Sequence, residues 1–215
     1  MDKALVIIPT YNEVENIEII LKKTLERRDF DILVVDDMSP DGTADVVLEL
    51  KKNYNSRLFL ERRASKEGLG KAYIQGFRWA LKKKYDFIFE MDADLSHDPR
   101  ELSPMLDCLK SEFDLVIGSR YVKGINVVNW PLNRILLSYF ASLYVRGITF
   151  MPIKDPTAGF VGYTREVLDH LDFKRINFVG YAFQIEMKFK IWSKGYKYKE
   201  HPIIFTNREL GVSKM

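Results

Sequence analysis

The first half of the chain alternates short apolar runs with segments whose apolar residues recur at helical spacing, and this alternation constrains the fold most strongly. Five apolar runs predict strands at Ala4–Ile8, Ile32–Val35, Leu58–Leu60, Phe87–Met91 and Leu115–Ile117. Strands that alternate with helices form a parallel sheet whose crossover helices cover its faces. The sequence therefore predicts an α/β fold with a Rossmann-like, mostly parallel central sheet flanked by helices.

The second half of the chain differs, because the alternation weakens from residue 126 onward. The residue patterns predict an amphipathic helical segment at Trp130–Phe150, a strand at Phe160–Tyr163, a helix at Tyr181–Lys194 and an interrupted strand at Lys197–Phe205. No linker, internal repeat or low-complexity stretch separates the two halves. We therefore predict a single domain over residues 1–215.

Composition and charge exclude several classes of protein. The apolar share of 47% is ordinary for a globular chain, and Cys108 is the only cysteine, so neither disorder nor a disulfide framework is indicated. A net charge of +3 is too small to indicate nucleic acid as a partner. No signal segment precedes Ala4, and the stretch Ile135–Met151 contains Arg146 and falls short of the roughly 18–20 apolar residues that a membrane span needs. These features predict a soluble or membrane-peripheral protein in a reducing compartment.

Polar residues follow four of the predicted strands at their carboxyl ends. They are Thr10–Glu13, Asp36-Asp37, Asp92–Asp94 and Ser119-Arg120. In open α/β sheets the ligand crevice lies at this edge. The four loops are therefore expected to converge on one site.

The acidic loop Asp92-Ala93-Asp94 gives the sharpest chemical signal. Two carboxylates two residues apart can face one ligand, and Mg²⁺ in proteins usually combines one or two carboxylates with substrate phosphates and water. A solvated acidic turn is the alternative. The second acidic pair, Asp36-Asp37, argues against that alternative because several like charges in one crevice repel each other unless a cation is present.

Two loops at helix starts and several basic residues are candidates for contact with a polar or anionic ligand. In Pro9–Glu13, Tyr11 offers a ring for stacking on a base, and Asn12 with Glu15 forms a potential capping box, so plain helix capping also explains this segment. Lys66–Lys71 resembles a glycine-rich phosphate loop but lacks the full spacing of such motifs. Possible phosphate partners are Arg120, Arg134, Arg208 and Lys214, with His97 beside the acidic loop.

Together these residues resemble inverting glycosyltransferases of family 2, which have the GT-A fold, and within them the dolichol-phosphate mannosyltransferases and other polyprenyl-phosphate glycosyltransferases. The similarity spans nearly the whole chain. It lies in the segments IIPTYNEVENI, VVDDMSPDGTADVV, GLGKAYIQGF, FIFEMDADLSHDP, DLVIGSRYVKG, DPTAGFVGY, GYAFQIEM and FTNRELGVSKM. The resemblance implies that residues 1–125 bind a nucleotide sugar and residues 126–215 bind the acceptor.

The resemblance also implies roles for individual residues. Substrate contacts are expected from Pro9, Tyr11, Glu13, Val35, Asp37, Asp92, Ala93, Arg120, Gln184, Glu186, Arg208 and Lys214. A divalent cation, Mg²⁺ or Mn²⁺, would be held by Asp94, with Asp92 and Ser96 as further candidates. Asp94, Arg120 and Arg134 would be the catalytic residues, with Arg134 at the acceptor phosphate.

The implied reaction is transfer of mannose from GDP-mannose to a polyprenyl phosphate with inversion. No general base is expected, since such a phosphate already carries close to two negative charges at neutral pH. The acceptor implies a membrane surface as partner and a location on the cytoplasmic face of a membrane. The segment Trp130–Met151 suits a helix lying in the membrane interface as well as it suits burial in a core. A membrane subunit or a C-terminal membrane extension is a further possibility.

Three other functions compete with this interpretation. Transfer of glucose from UDP-glucose is the nearest, because these motifs do not resolve the base and sugar pockets. A nucleotidyltransferase shares the sheet and the acidic residues, but it would have a glycine-rich basic loop where this chain has PTYNE. A non-catalytic nucleotide-sugar-binding module would have lost Asp94 or the arginines, which are present.

Overall fold

A computed structural model describes residues 2–54, 56–208 and 210. Seven strands form the central sheet in the order β3-β2-β1-β4-β7-β5-β8. They are β1 (Ala4–Thr10), β2 (Phe30–Asp36), β3 (Leu58–Arg62), β4 (Phe87–Glu90), β5 (Leu115–Ser119), β7 (Val161–Thr164) and β8 (Tyr198–Pro202). Only β7 runs antiparallel to its neighbours β4 and β5, so the sheet is mostly parallel as predicted. Strands β6 (Val127–Val128) and β9 (Phe205–Thr206) pair in parallel as a separate ribbon.

Helices cover both faces of the sheet, and the side chains of β1 show why. Leu5 and Ile7 belong to one apolar core, and Val6 and Ile8 to the other. This alternation is expected for a strand buried on both faces. The helices are α1 (Val14–Leu25), α2 (Thr43–Lys51), α3 (Leu69–Lys82), α4 (Leu102–Ser111), α5 (Leu132–Thr149), α6 (Arg165–Asp169) and α7 (Tyr181–Ser193). The predicted α/β class is confirmed.

Strand β1 does not stop at Pro9, contrary to the prediction, but pairs with β2 as far as Thr10. Successive residues of a strand point their backbone groups to alternate sides. Ile7 accepts from Met91 on the β4 side and Thr10 accepts from Asp37 on the β2 side, so Pro9 faces the β4 side. The β4 ladder has already ended at Glu90 there, so the missing N–H of Pro9 breaks no ladder hydrogen bond.

The predicted capping box is also wrong. Asn12 has a left-handed backbone with φ of 57°, and the helix begins only at Val14. The backbone amides of residues 12, 13 and 14 instead donate to the side chains of Ser39, Thr43 and Asp41. These amides are occupied by the protein, so this helix start does not offer them to an anion.

Helix α5 lies within the predicted amphipathic segment and is unusual in how little of it is buried. It begins after Pro131 and ends at Phe150, which adopts a left-handed backbone. Of its residues only Ser142 is buried. Within the part of the chain that the structure describes, no helix is both long and apolar enough to cross a membrane.

Candidate functional site

A cavity of about 720 Å³ opens at the carboxyl ends of β1, β4 and β5. One wall comes from the segment after β1, the floor comes from the acidic loop after β4, and α5 and α7 close the far side. Of the residues predicted to contact substrate or metal, those lining the cavity are Pro9, Tyr11, Glu13, Asp37, Asp92, Ala93, Asp94, Arg120, Arg134, Gln184 and Arg208. The predicted convergence of the strand-end loops therefore holds for most of the candidates.

Three predicted site residues that the structure describes do not take part in this lining. Val35 is fully buried in the core, and Ser96 is buried below the acidic loop. The Glu186 carboxylate turns away to accept from the backbone amides of Asn177 and Phe178, both at 3.1 Å, so it holds a loop rather than facing the cavity. Lys214 lies outside the described residues.

The two acidic pairs have different roles. The Asp36 carboxylate is buried and accepts from the Thr10 and Ser39 hydroxyls at 2.8 and 2.6 Å, so it locks the loop instead of meeting a ligand. Asp37 does line the cavity, and its Oδ1 is paired with the Arg63 guanidinium at 2.6 Å. Asp36 was expected among the charges of the crevice and is instead structural.

Asp92 and Asp94 form the negative floor of the cavity. Burial raises the pKa of Asp92, and the nearby carboxylates of Asp94 and Glu90 raise it further. Burial also acts to raise the pKa of Asp94, but hydrogen bonding from Ser96 and the positive charge of Arg208 lower it below its ordinary value. Two neighbouring carboxylates repel each other when both are ionised, and a bound cation would relieve this repulsion.

Arg208 bridges the acidic floor to the opposite wall. Its Nη2 donates to Glu13 Oε1 at 2.9 Å and its Nε donates to Asp94 Oδ2 at 3.3 Å. The chain around it is held in place, since Thr206 donates its backbone N–H to the Ser96 carbonyl oxygen at 3.3 Å. The predicted phosphate partner thus lies within the acidic site itself.

Arg120 is held by hydrogen bonds to one carboxylate and by contacts with aromatic rings. Its Nε and Nη2 donate to the two carboxylate oxygens of Asp155 at 2.8 and 2.6 Å, and its backbone N–H donates to the same group at 2.9 Å. The rings of Trp130 and Phe205 lie 5.7 and 5.6 Å from the guanidinium carbon. Its positive charge is therefore held at one place in the cavity wall.

Arg134 lies at the start of α5, where the predicted acceptor side begins. Its guanidinium carbon lies 4.0 Å from the centre of the Trp130 ring, and Nη1 donates to Asn207 Oδ1 at 2.7 Å. The Tyr11 ring, predicted to stack on a base, has the Lys66 ammonium 4.2 Å from its centre. Base stacking by Tyr11 stays a prediction.

His97, a possible phosphate partner, is buried and neutral. Burial lowers its pKa to about 4, because the charged form loses its water. Its Nδ1 accepts the Asp92 backbone N–H at 3.2 Å, and its ring stacks on Phe160 with 4.9 Å between the ring centres. His97 therefore supports the acidic loop from behind.

Two residues next to the cavity were missed from the sequence, Glu90 and Lys188. Both are fully buried and both hydrogen-bond to Gln184. Burial raises the pKa of Glu90 and lowers that of Lys188, since each charged form loses hydration. One signal was available, because Lys188 follows Gln184 by one helical turn and adjoins the apolar stripe of α7.

The rim of the cavity on the α5 side is apolar and open to solvent. Leu137 and Tyr144 line the cavity yet remain 74% and 70% exposed, and neighbouring Phe140 is 60% exposed. Exposed apolar residues continue across the mouth at Phe178 and Tyr181. An apolar surface of this kind marks contact with a membrane, a lipid or a protein.

The comparisons with known proteins agree with this geometry. The model of the family described as "Glycosyl transferase family 2" matches residues 5–172. Polyprenol monophosphomannose synthase of Mycolicibacterium smegmatis is 47% identical over 214 residues, which are 99% of this chain and 81% of that protein. Undecaprenyl-phosphate mannosyltransferase of Micrococcus luteus is 43% identical over 214 residues, 99% of this chain and 87% of that protein.

A solved structure supports the fold. The mannosyltransferase of Pyrobaculum calidifontis, in complex with GDP-Man and Mn²⁺, superposes with a TM-score of 0.66 at 21% identity. The match covers 96% of this chain and 56% of that one, so this chain spans little more than half of that protein.

Proposed function

Because this chain belongs to glycosyl transferase family 2, we propose that it transfers mannose from GDP-mannose to a polyprenyl phosphate. The two relatives described above are named for mannose transfer to such lipids and match this chain over 99% of its length. The observation that carries the proposal is the cavity itself, which joins an acidic floor at Asp92 and Asp94 to an exposed apolar rim on α5. One end suits a nucleotide diphosphate with a cation, and the other suits a lipid.

The donor set of the floor fits a divalent cation. Carboxylate oxygens of Asp94 and Asp92 would hold it, with the diphosphate of the donor completing the shell, as hard divalent cations require. Among the described residues no group of three or more His, Cys, Asp or Glu side chains is placed to hold a metal ion. When bound, the cation would stabilise the negative charge of the departing diphosphate. The Pyrobaculum structure holds Mn²⁺ with GDP-Man, and Mg²⁺ is the alternative for this chain.

The protein's own residues would position the two anions. An acceptor phosphate oxygen forms a bond to C1 of mannose while the bond from C1 to the diphosphate oxygen breaks, and GDP leaves with the electron pair. The attacking oxygen has already lost its proton, so no side chain needs to remove one. Arg134 at the start of α5 would meet the acceptor phosphate, and Arg120 and Arg208 would offset the charge of the two anions. Attack opposite the leaving group converts an α-linked donor into a β-linked product.

The apolar rim supports a peripheral position on a membrane. We assign this rim to the headgroup region, with α5 lying on the surface so that the isoprenoid chain stays in lipid while its phosphate reaches Arg134. The cytoplasmic face follows as a proposal from the need for a nucleotide-sugar donor. A membrane subunit or C-terminal extension stays a prediction.

The transfer assay combines the protein with labelled GDP-mannose or UDP-glucose, a polyprenyl phosphate, and Mg²⁺ or Mn²⁺. We expect organic-extractable label from GDP-mannose only, abolished by Asp94→Ala and retained by Asp107→Ala, an exposed aspartate on α4. Label from UDP-glucose alone would replace mannose by glucose. No labelled lipid from any donor would refute the proposal.

The membrane part is tested separately by sedimentation with phosphatidylglycerol vesicles. Leu137→Ser combined with Phe140→Ser should release the protein from vesicles, because both side chains are more than half exposed on α5. Leu48→Ser, on α2 and 43% exposed, is the matched control and should bind as the unchanged protein does. Equal binding of all three proteins would contradict an interfacial α5.

A further inference from the structure

A buried polar cluster lies behind the cavity wall formed by α7. The Lys188 ammonium donates to the Ala158 carbonyl oxygen at 2.7 Å, and to the carbonyl oxygen and Oε1 of Gln184 at 3.3 and 3.2 Å. Gln184 Nε2 donates to Glu90 Oε2, and the Tyr163 hydroxyl donates to Glu90 Oε1 at 3.0 Å. The cluster therefore joins α7, β4, β7 and the segment before β7.

The chemistry of this cluster fixes which way the Gln184 amide points. An ammonium group can only donate, so the atom facing Lys188 must be the amide oxygen. The amide nitrogen is therefore on the other side of the group, where it donates to Glu90 Oε2. Reversing the amide would lose both interactions, and Gln184 is only 2% exposed, so water cannot replace them.

The fixed amide lies beside the acidic floor. Gln184 and Ala158 both line the cavity, and Glu90 precedes Asp92 by two residues. Gly159, next to Ala158, brings this wall close to the acidic floor. A Cβ atom added at Gly159 would lie 3.6 Å from Asp92 Oδ2. A group bonded to a diphosphate held at Asp92 and Asp94 would reach this wall.

We propose that Gln184 recognises the transferred sugar as a hydrogen-bond donor, and that Lys188 and Glu90 are positioning residues that impose this polarity. This proposal rests on the proposed function, which identifies the sugar donor as GDP-mannose. One amide hydrogen is bound to Glu90, and the other is directed to an acceptor lone pair of a sugar hydroxyl. The wall thus selects a hexose by the place of one hydroxyl oxygen, and the nucleotide contributes nothing to this contact.

The decisive test is the double variant Glu90→Gln/Gln184→Glu, in which the two hydrogen-bonded side chains are exchanged. The new glutamine can accept from Tyr163 and donate to the new glutamate, which still faces Lys188, so charge and hydrogen bonds are kept. Only the donor toward the cavity is lost, because a carboxylate has no hydrogen to give. The variant should unfold close to the temperature of the unchanged protein.

The readout compares GDP-mannose with GDP in calorimetric titrations with Mn²⁺. We expect unchanged affinity for GDP, and affinity for GDP-mannose and kcat/KM both lowered roughly tenfold, the loss expected for one hydrogen bond to the sugar. Gln75→Glu, at the only other glutamine of the chain and away from this cavity, should change neither value. Full activity in the exchanged variant would refute a donor role.

A second variant guards against misfolding of the first. Lys188→Met has a similar length and no charge to bury, and it frees the amide to rotate. It should lower the affinity for GDP-mannose relative to that for GDP. An equal fall for both ligands would show a purely structural role and overturn the proposal. The ratio of the affinities for GDP-mannose and GDP is measured without turnover. Absence of lipid product would therefore refute the proposed function, whereas the role of Gln184 is decided by the affinity ratio alone.

Discussion

The substitution Asp155→Asn tests how the charge of Arg120 is held in the cavity wall. Asp155 is fully buried and accepts three hydrogen bonds from Arg120, one from the backbone and two from the guanidinium. Asparagine has nearly the same shape. It removes the negative charge and presents an NH₂ group to a guanidinium that can only donate.

The magnitude follows from burial. Breaking a buried ion pair by removing one partner costs about 3–5 kcal/mol, because a buried charge is left uncompensated. For a chain of 215 residues, each kcal/mol lowers the melting temperature by about 2–4 °C. We therefore expect Asp155→Asn to melt roughly 6–20 °C lower.

The matched control is Asp169→Asn on α6. Asp169 pairs with Arg165 at 3.3 Å, but its side chain is 51% exposed, so this pair is of the kind that contributes less than about 1 kcal/mol. Both variants change one charge and no volume. Thermal melting and urea unfolding of the two variants measure the difference directly.

A double-mutant cycle with Arg120→Met distinguishes the ion pair from other effects. If the charges stabilise each other, Asp155→Asn in the Arg120→Met background should cost at least about 2 kcal/mol less than it does alone. A melting temperature of Asp155→Asn no lower than that of Asp169→Asn would contradict a stabilising buried ion pair. Additive effects of Asp155→Asn and Arg120→Met would contradict it as well. Transfer activity below the melting temperature should also fall, because Arg120 then loses its fixed position.

Further predictions concern packing and pH. Gly162→Ala should lower the free energy of unfolding by about 1–3 kcal/mol, since the new Cβ would lie 2.5 Å from Phe89 Cε1. Gly147→Ala in α5 meets no atom within 4 Å and should raise the free energy of unfolding by about 0.5–1 kcal/mol. Urea unfolding measures both values, and equal effects would contradict this account of the packing. His97 has its pKa lowered by burial from 6.5 to about 4, so the unfolded chain binds more protons at this residue between these values, and the contribution of His97 to stability should fall as the pH drops through this window, by on the order of 3 kcal/mol. Asp92 and Glu90, whose pKa values are raised, act in the opposite direction, so the His97 contribution is read from the difference between the His97→Phe variant and the unchanged protein. His97→Phe, which keeps the stacking on Phe160, should flatten this dependence between pH 4 and 6.5, and an unchanged slope would show that another group is responsible.

Much of the fold could be predicted because its signals are local. The alternation of apolar runs and helical patterns depends on neighbouring residues only, and it correctly placed the strands of the central sheet and most of the longer helices. The two-residue strand β6 and the helix α4 were not predicted. Errors occurred where distant residues intervened. Pro9 is tolerated inside β1 because β4 has already ended beside it, and the N-terminus of α1 is capped by the loop after β2 rather than by Asn12.

The candidate site divides in the same way. Asp92 and Asp94 were found because a carboxylate at the end of a buried strand is visible in the sequence and the crevice of an α/β sheet lies there. The structure separated Asp36 from Asp37, although they are adjacent in the chain. Asp36 points to Thr10 and Ser39, while Asp37 lines the cavity, because neighbouring side chains at a strand end point in different directions.

By itself the sequence determined the sheet, the edge of the sheet where the site lies, the acidic floor and the apolar character of α5. Tertiary structure decided the partners. Arg120 and Asp155 are 35 residues apart and Gln184 and Glu90 are 94 apart, so no local pattern relates them. Their pairing depends on how the second half of the chain packs against the first. That packing fixes which charges are buried together and which way each side chain faces the cavity.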